Sequence, residues 1–454
     1  MVARNHIGRI FVANRGEIAV RVVRACDKLG IESVVGVSEA DRDSLAAQMA
    51  TRAVCVGPAR SSESYLRPET LVSAATGTGC HAVHPGYGFL SERAPFSRMC
   101  AEAGLVFIGP SPSAIESMGD KITAVRLAAL AGVPRVPGSD RIESAADARR
   151  TAREIGYPVL LKASAGGGGR GMRIVRDEGE IEAALNSAAN EAQAAFGDAT
   201  LYMEKFIERA RHIEIQVLGD GHGNVVHVGE RECSTQRRHQ KLIEEALSPA
   251  IDSALRVELG QAAVKLAKRV DYHGAGTVEF VYDELARRYY FLEMNTRIQV
   301  EHPVTEMIAG VDLVAEQIRI ASGEPISFSQ ADLRLKGHAI ECRINAEDAE
   351  RNFRPSPGRI TAWNPPTGEG VRVDTHCYPG YVIPPFYDSL LAKVIVHAAN
   401  RPAAIARMRD ALDSFVVEGV RTTIPFHQRV LAHADFQAGL VTTRWVEEKF
   451  HAPK

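Results

Sequence analysis

The sequence predicts an α/β chain that turns α+β: an N-terminal doubly wound parallel sheet, a central region carrying a small mobile lid, and a C-terminal mixed α+β region. Three patterns point there. Strand and helix alternate from the first strand to Gly109-Pro110. A loop with glycine at 166, 167, 168, 169 and 171 lies between two strands rather than between a strand and a helix. Farther on, residues 291–302 alternate polar and apolar side chains with the period of two that a strand imposes. With 454 residues, and roughly 150 residues per domain, the chain has room for about three domains.

The elements follow in order. Ile10 to Ala13 reads as a strand, and Gly16 opens a helix whose apolar stripe is Ile18, Val22 and Cys26, widened by Ala19 and Val23 and closed by Gly30. Ile31 to Val37, Ala82-Val83 and Leu105 to Ile108 are further strands, with a helix at Pro68 to Ala75. The turn after the first strand is Asn14-Arg15-Gly16-Glu17, which lacks the three glycines of a dinucleotide fingerprint and argues against NAD. Prolines and glycines between Ala131 and Gly138 mark a boundary, and Ser144-x-x-Asp147 has the pattern of a helix start. Strands at Tyr157 to Ala163, Met172 to Arg176, Leu201 to Ile207, His212 to Leu218 and Val225 to Val228 surround an alanine-rich helix, Glu178 to Phe196. A helix at Pro249 to Val270 precedes strands Gly276 to Tyr282 and Tyr289 to Met294 and a helix across Glu306 to Ala321. The last third mixes strands (Ala339 to Arg343, Gly358 to Ala362, Ala392 to His397) with a helix at Pro402 to Phe415.

A formal net charge of −2 leaves no basic footprint for nucleic acid or an anionic membrane. Hydrophobic content of 45% and charged content of 24% exclude disordered and fibrous classes. The seven cysteines (Cys26, Cys55, Cys80, Cys100, Cys233, Cys342, Cys377) form no C-x-x-C pair, so neither a disulfide framework nor a zinc site is expected. No run of 18 apolar residues and no signal-peptide pattern occurs, and a cytoplasmic protein is expected.

Three segments carry chemistry. In Lys162-Ala-Ser-Ala-Gly-Gly-Gly-Gly-Arg-Gly171, glycines allow successive backbone N–H groups to approach an anion, a phosphate cradle on a flexible lid. No Gly-Lys-Ser/Thr follows, so it is not a Walker loop; a floppy hairpin tip or linker is the competing reading. In Phe291-Leu-Glu-Met-Asn-Thr-Arg-Ile-Gln-Val-Glu-His302, Glu293, Asn295, Arg297, Gln299 and Glu301 are set on one side, and Leu292, Met294, Ile298 and Val300 on the other. Glu293 and Asn295 are hard oxygen donors suited to magnesium, Arg297 is a fork for an oxyanion, and Glu301 can take a proton. Glu279, on the preceding strand, can converge with Glu293 on one divalent ion. The third segment, Arg231-Glu-Cys-Ser-Thr-Gln-Arg-Arg-His-Gln-Lys241, is locally basic. Charge alone does not choose between an anion pocket and a solvated face balanced by Glu244-Glu245.

Taken together, these pieces resemble the ATP-grasp fold. With Ala13-Asn-Arg-Gly-Glu-Ile-Ala19, His84-Pro-Gly-Tyr-Gly-Phe-Leu-Ser-Glu92, Met118-Gly-Asp-Lys121, Gln236-Arg-Arg-His-Gln-Lys241 and Glu341-Cys-Arg-Ile-Asn-Ala-Glu347, the chain resembles biotin carboxylase from about residue 8 to residue 447. The resemblance implies residues 1–118 as an N-terminal domain, 119–324 as an ATP-grasp domain with its lid at about 137–206, and 325–450 as a C-terminal domain. It implies an enzyme of the acetyl-CoA carboxylase type, serving fatty acid biosynthesis, that uses ATP, Mg²⁺ (or Mn²⁺) and bicarbonate to carboxylate biotin on a carrier.

Position by position, the resemblance assigns Lys121, Lys162, Gly166, Gly167, Gly168, Gly169, Gly171, Glu204, Lys205, Ile207, His212, Gln236 and His239 to ATP. It gives the metal to Glu279, Glu293 and Asn295, and bicarbonate to Lys241, Arg297, Gln299, Val300 and Glu301. Arg343 and Tyr87 fall to biotin, and Arg297, Glu301, Lys241 and Arg343 form the catalytic set. Ala165, where the family often has another glycine, is a departure that touches no reacting group. No Met-Lys-Met biotin-attachment sequence occurs. The expectation is therefore a free-standing subunit, homodimeric, working with a biotin carboxyl carrier protein and carboxyltransferase subunits, without nucleic acid or membrane. Another ATP-grasp ligase, of the carbamoyl-phosphate type, and a catalytically silent subunit are the competing readings.

Overall fold

The computed structural model describes residues 5–139, 141–163 and 171–450. The N-terminal strands β1 (Arg9–Val12), β2 (Glu32–Ser38), β3 (Arg52–Gly57), β4 (Ala82–His84) and β5 (Val106–Phe107) form an all-parallel sheet in the order β3-β2-β1-β4-β5. The order reverses at β1, and a doubly wound sheet opens a crevice at such a switch point, beyond the strands' C-terminal ends. Helix α1 (Gly16–Leu29) begins there. Its predicted stripe, Ile18, Ala19, Val22, Val23 and Cys26, is buried, and Gly30 ends it with φ of 69°. The sequence pattern missed β3, an edge strand whose side chains are mostly exposed, so no apolar alternation marks it.

The central region contains a small antiparallel sheet of β6 (Val159–Ala163), β7 (Arg173–Val175) and β8 (Leu201–Lys205), ordered β7-β6-β8. Helices Ala145–Ile155 and Ile181–Phe196 pack on it, the first capped by Ser144 as expected. Val159, Leu161, Val175, Ile181 and Met203 make a core drawn only from residues between 142 and 203. The glycines at 166–169 lie outside the described residues. Gly171 is described: its φ is +69°, and a Cβ there would stand 2.9 Å from the Ala163 Cβ.

The largest sheet is antiparallel and eight-stranded. It contains β9 (Ala210–Gly219), β10 (Val225–Arg237), β11 (Gln240–Ala246), β12 (Gly274–Asp283), β13 (Arg288–Asn295) and β14 (His338–Asn345), followed by Leu390–Ala398 and Val371–Thr375. Its order is β13-β12-β9-β10-β11-β14, then Leu390–Ala398 and Val371–Thr375, so the central and C-terminal regions share one sheet.

Four expectations are corrected. β10 runs on to Arg237, past the predicted end at Val228, because buried Glu230, Arg231 and Glu232 break the apolar pattern while pairing with β9 resumes at Glu230 after a register shift. The helix expected across Glu306 to Ala321 is two, His302–Ala309 and Leu313–Ala321, separated at Gly310 and restarted by the Asp312 cap. The strand expected at Gly358 to Ala362 is two short strands, Gly358–Arg359 and Ala362–Asn364, paired to different partners. Finally, the polar stripe is a strand only to Asn295, after which the chain turns into the helix at His302. All seven cysteines are free, and no helix among the described residues is long and apolar enough to cross a membrane.

Candidate active site

The site forms where the inner strands of the large sheet meet the turn 296–301. A two-residue turn joins β10 to β11: Arg238 and His239 have φ of 48° and 64°, the left-handed pair that fits a tight hairpin. This register sets Gln236 opposite Lys241. The Lys241 ammonium reaches Glu214 at 2.5 Å, Glu301 at 2.6 Å and Glu279 at 3.2 Å, and donates to Gln299 at 3.3 Å. Burial alone would lower its pKa, but the three carboxylates hold it well above the ordinary lysine range.

Glu301 uses both oxygens. Oε1 faces Lys241, and Oε2 accepts from the Arg343 guanidinium at 2.9 Å. Burial would raise its pKa, yet Lys241, Arg343 and Arg231 hold it well below the usual carboxylate range. The other edge of Arg343 pairs with Glu244 at 2.5 Å. Arg297, on the same turn, is fixed by Glu92 of the N-terminal region: Nε to Oε2 is 3.1 Å, and the second Glu92 oxygen accepts the Thr296 N–H at 3.1 Å.

Glu279 and Glu293, expected on adjacent strands, face each other across β12 and β13. The ladder shifts by one residue there, and the bulge turns Leu292 outward to 44% exposure instead of into the apolar face. Burial and the Glu279 charge raise the Glu293 pKa. Glu279 itself is held well below its ordinary value: burial would raise it, but Lys241 and His212 (Nε2 to Oε2, 3.0 Å) outweigh that. The Asn295 amide donates to Glu293 at 3.3 Å, and its oxygen accepts from Gln299, which also donates to Glu279 at 2.7 Å. Two glutamates and an amide oxygen, one carboxylate lacking a cation of its own, suit a hard divalent ion such as Mg²⁺. A tighter group of donors is His212, Glu214 and Glu279, in which Glu214 already pairs with Arg231 and Lys241, and Glu279 with Lys241.

Sequence reasoning missed the platform under this centre. Arg231, fully buried, pairs with Glu214 and donates to Gln216 at 2.8 Å and to Thr277 and Thr305 at 3.0 Å. The signal was present in β9, where Glu214 and Gln216 alternate with Ile213, Ile215 and Val217 in a strand whose every side chain from 213 to 217 is buried.

The residues matched to ATP are spread more widely. Lys162 pairs with Glu204, and Lys205 donates to the Gly156 and Tyr157 carbonyls at 2.9 and 2.8 Å, so these side-chain hydrogen bonds stay within the small sheet's unit. Ile207 is buried just beyond β8, and Lys121 begins the helix Lys121–Leu130, capped by Asp120. Gln236 is buried in the hairpin, and His239 is exposed at its tip. Val300 offers its carbonyl to Lys393 at 2.8 Å. The Tyr87 hydroxyl donates to Glu17. The Tyr87 loop is held by Asn14, whose amide donates to the Pro85 and Tyr87 carbonyls at 2.7 Å each.

A parallel-sheet unit, a small three-stranded unit and a long antiparallel sheet converging on paired carboxylates and lysines define an ATP-grasp carboxylase. Residues 6–115 match the biotin carboxylase N-terminal domain, 120–329 the carbamoyl-phosphate synthase L chain ATP-binding domain, and 341–448 the biotin carboxylase C-terminal domain. Biotin carboxylase 1 of Bacillus subtilis is 55% identical over 442 residues, 97% of this chain and 98% of that protein. The biotin carboxylase domain of Hydrogenobacter thermophilus 2-oxoglutarate carboxylase, a dimer solved with MgADP, ADP and bicarbonate, superposes with a TM-score of 0.90 at 51% identity, covering 98% of each chain. A biotin carboxylase–ATP-type complex from Campylobacter jejuni superposes at 0.91 with 48% identity, covering 98% of this chain and 99% of that one. The chain belongs to the biotin carboxylase family.

Proposed function

We propose that this enzyme uses ATP and bicarbonate to carboxylate biotin on a separate biotin carboxyl carrier protein, through carboxyphosphate. The observation that carries the reading is Glu301 held between Lys241 and Arg343, with Arg297 on the same turn. Bicarbonate is an anion, and Lys241, Arg297, Gln299 and the Val300 backbone supply the donors and charge to hold it. A carboxylate held as low as Glu301 is a weak base on its own. When an anion takes over part of the Lys241 and Arg297 charge, the Glu301 pKa rises toward the range where it accepts the bicarbonate proton. The freed oxygen attacks the terminal phosphorus of ATP, forming carboxyphosphate as the bond to departing ADP breaks. The ATP phosphates are matched to Lys121, Lys162 and the glycine loop, with the remaining nucleotide contacts at Glu204, Lys205, Ile207, His212, Gln236 and His239. Carboxyphosphate then splits into CO₂ and phosphate, the phosphate takes the ureido N–H proton of biotin, and the nitrogen so freed adds to CO₂. Residues Glu279, Glu293 and Asn295 would hold a divalent cation, which neutralises phosphate charge when bound. Arg343 then faces the ureido oxygen of biotin, with Tyr87 near the ring, and stabilises the charge that develops there.

This reading divides the chain into domains at 1–118, 119–324 and 325–450, with the lid at about 137–206. It makes the protein a cytoplasmic homodimer that hands carboxybiotin to carboxyltransferase subunits. The acyl acceptor belongs to those partners, and acetyl-CoA is the expected one. ATP turnover by the purified chain that requires both bicarbonate and free biotin is the expected result. ATP hydrolysis indifferent to biotin would overturn it.

A further inference from the structure

A buried ion network outside the set just described ties its two halves together. Lys393 lies on the strand Leu390–Ala398, in register with Arg343 on one side and Asp374 on the other, and is completely buried. Its ammonium makes three contacts: Glu17 at 3.0 Å, the Val300 carbonyl at 2.8 Å and, more distantly, Asp374 at 3.9 Å. Glu17, in the first turn of α1, takes the Lys393 ammonium and the Tyr87 hydroxyl on the same oxygen. Its other oxygen has no hydrogen-bond partner among the described residues, and Glu17 and Tyr87 both border a cavity of about 140 Å³ that His376 and Asp388 also line. Four segments far apart in sequence, α1, the Tyr87 loop, the 296–301 turn and a C-terminal strand, therefore meet around one Lys393–Glu17 pair.

Such an arrangement is expensive to build. A fully buried lysine loses its hydration, and it is stable only when its partners replace those hydrogen bonds with good geometry. Burial would lower its pKa; Glu17, Glu341 and Asp374 reverse this and keep it charged. Packing alone would be served as well by a leucine. What the charge adds is direction: it fixes the carbonyl one residue before Glu301 and, through Glu17, the phenol of Tyr87.

We infer that Lys393 and Glu17 are positioning residues that couple the bicarbonate turn to the biotin side of the cleft, Lys393 acting on both and Glu17 on the biotin side alone. The inference rests on the function proposed above.

The test uses the full chain with MgATP, bicarbonate and free biotin, and compares the three KM values of each variant. Wild-type ATP turnover that ignores biotin would overturn the functional reading itself, before any variant is compared. With biotin-dependent turnover established, Glu17→Gln keeps the shape and removes the charge. It should raise the biotin KM about tenfold, the scale of one charge-assisted hydrogen bond, and leave the bicarbonate and ATP values within about twofold. Lys393→Met should raise the biotin and bicarbonate values together by about tenfold while the ATP value stays within about twofold. Because Lys393→Met strands buried Glu17 and Asp374, Glu17→Gln is the variant that decides if the first does not fold. Combining Glu17→Gln with Tyr87→Phe should add little to the larger single effect, since both act through one contact. Equal changes in all three KM values of a folded Glu17→Gln protein, no change in any, or full additivity with Tyr87→Phe would each overturn the inference.

Discussion

Glu301 and Arg343 meet at 2.9 Å, on a turn and a strand that share neither sheet ladder nor sequence neighbourhood. Each has a second ionic partner: Glu301 has Lys241, and Arg343 has Glu244. Glu301→Gln keeps the size and removes both the base and one anchor of Arg343. Bicarbonate- and biotin-dependent turnover should fall by about 10²- to 10⁴-fold, the usual worth of a positioned base. ADP release measured against wild type checks this, with the melting temperature as the control for folding.

Glu92 makes a different prediction, because it reaches Arg297 from the N-terminal region. It fixes the guanidinium and the Thr296 N–H at once. Glu92→Gln retains one acceptor but loses the charge, so Arg297 should wander from the oxyanion. The expected outcome is a bicarbonate KM raised about tenfold, the scale of one hydrogen bond to a charged group, with the ATP KM little changed. Steady-state kinetics over a bicarbonate series distinguishes the two.

The residue types of the site were legible in the sequence, but part of the geometry that unites them was not. Period-two alternation set Glu279 and Glu293 on adjacent strands, and both lie on true strands that pair them directly. It failed beyond Asn295: Arg297, Gln299 and Glu301 converge through a turn and the start of a helix, and a turn leaves no periodic trace. Arg231 and Glu214 were hidden for the opposite reason. A buried ion pair looks like surface in a hydropathy pattern, and only the register of β9 with β10 shows that the two charges neutralise each other. Likewise Glu17 sits in a helix whose stripe was read correctly, yet its partner Lys393 lies on a strand from the far end of the chain.

Glu293 should behave as a cation-binding carboxylate. Its negative charge is opposed by Glu279 and is matched by no lysine or arginine within salt-bridge distance among the described residues. Glu293→Gln relieves that repulsion while removing a hard oxygen charge. The Mg²⁺ concentration for half-maximal turnover should rise about tenfold, reflecting the loss of one carboxylate–cation contact of the order of 1.4 kcal/mol. The melting temperature measured without divalent ions should stay equal or increase. A Mg²⁺ titration of activity, paired with melting curves in chelator, reads both.

The last prediction concerns pH and the carboxyl pair beneath Arg343. Glu244 and Glu341 stand directly opposite on β11 and β14, both fully buried, and neither Glu341 oxygen has a hydrogen-bond partner among the described residues. Burial pushes Glu244 up to about 7, against the pull of Arg343, and pushes Glu341 well above its ordinary value. The folded protein thus keeps protons that the unfolded chain has lost above pH ~4.5, the ordinary glutamate range. Folding takes up protons, so this contribution to stability is complete below that pH and is lost as pH rises through 7. Buried His84, His376 and His427, held low by burial, act with the opposite sign, but only below about 6.5, where the unfolded histidine gains its proton. Glu301 and Glu279, held low, act only under acid conditions. The window from about pH 7 to 8 therefore isolates the carboxyl pair from these groups. There Glu341→Gln, which mimics the protonated acid and cannot ionise, should lose stability less steeply than wild type, by up to about 1.4 kcal/mol per pH unit for one proton. Urea unfolding at successive pH values measures the two slopes; equal slopes would show that Glu341 is ionised in the folded protein.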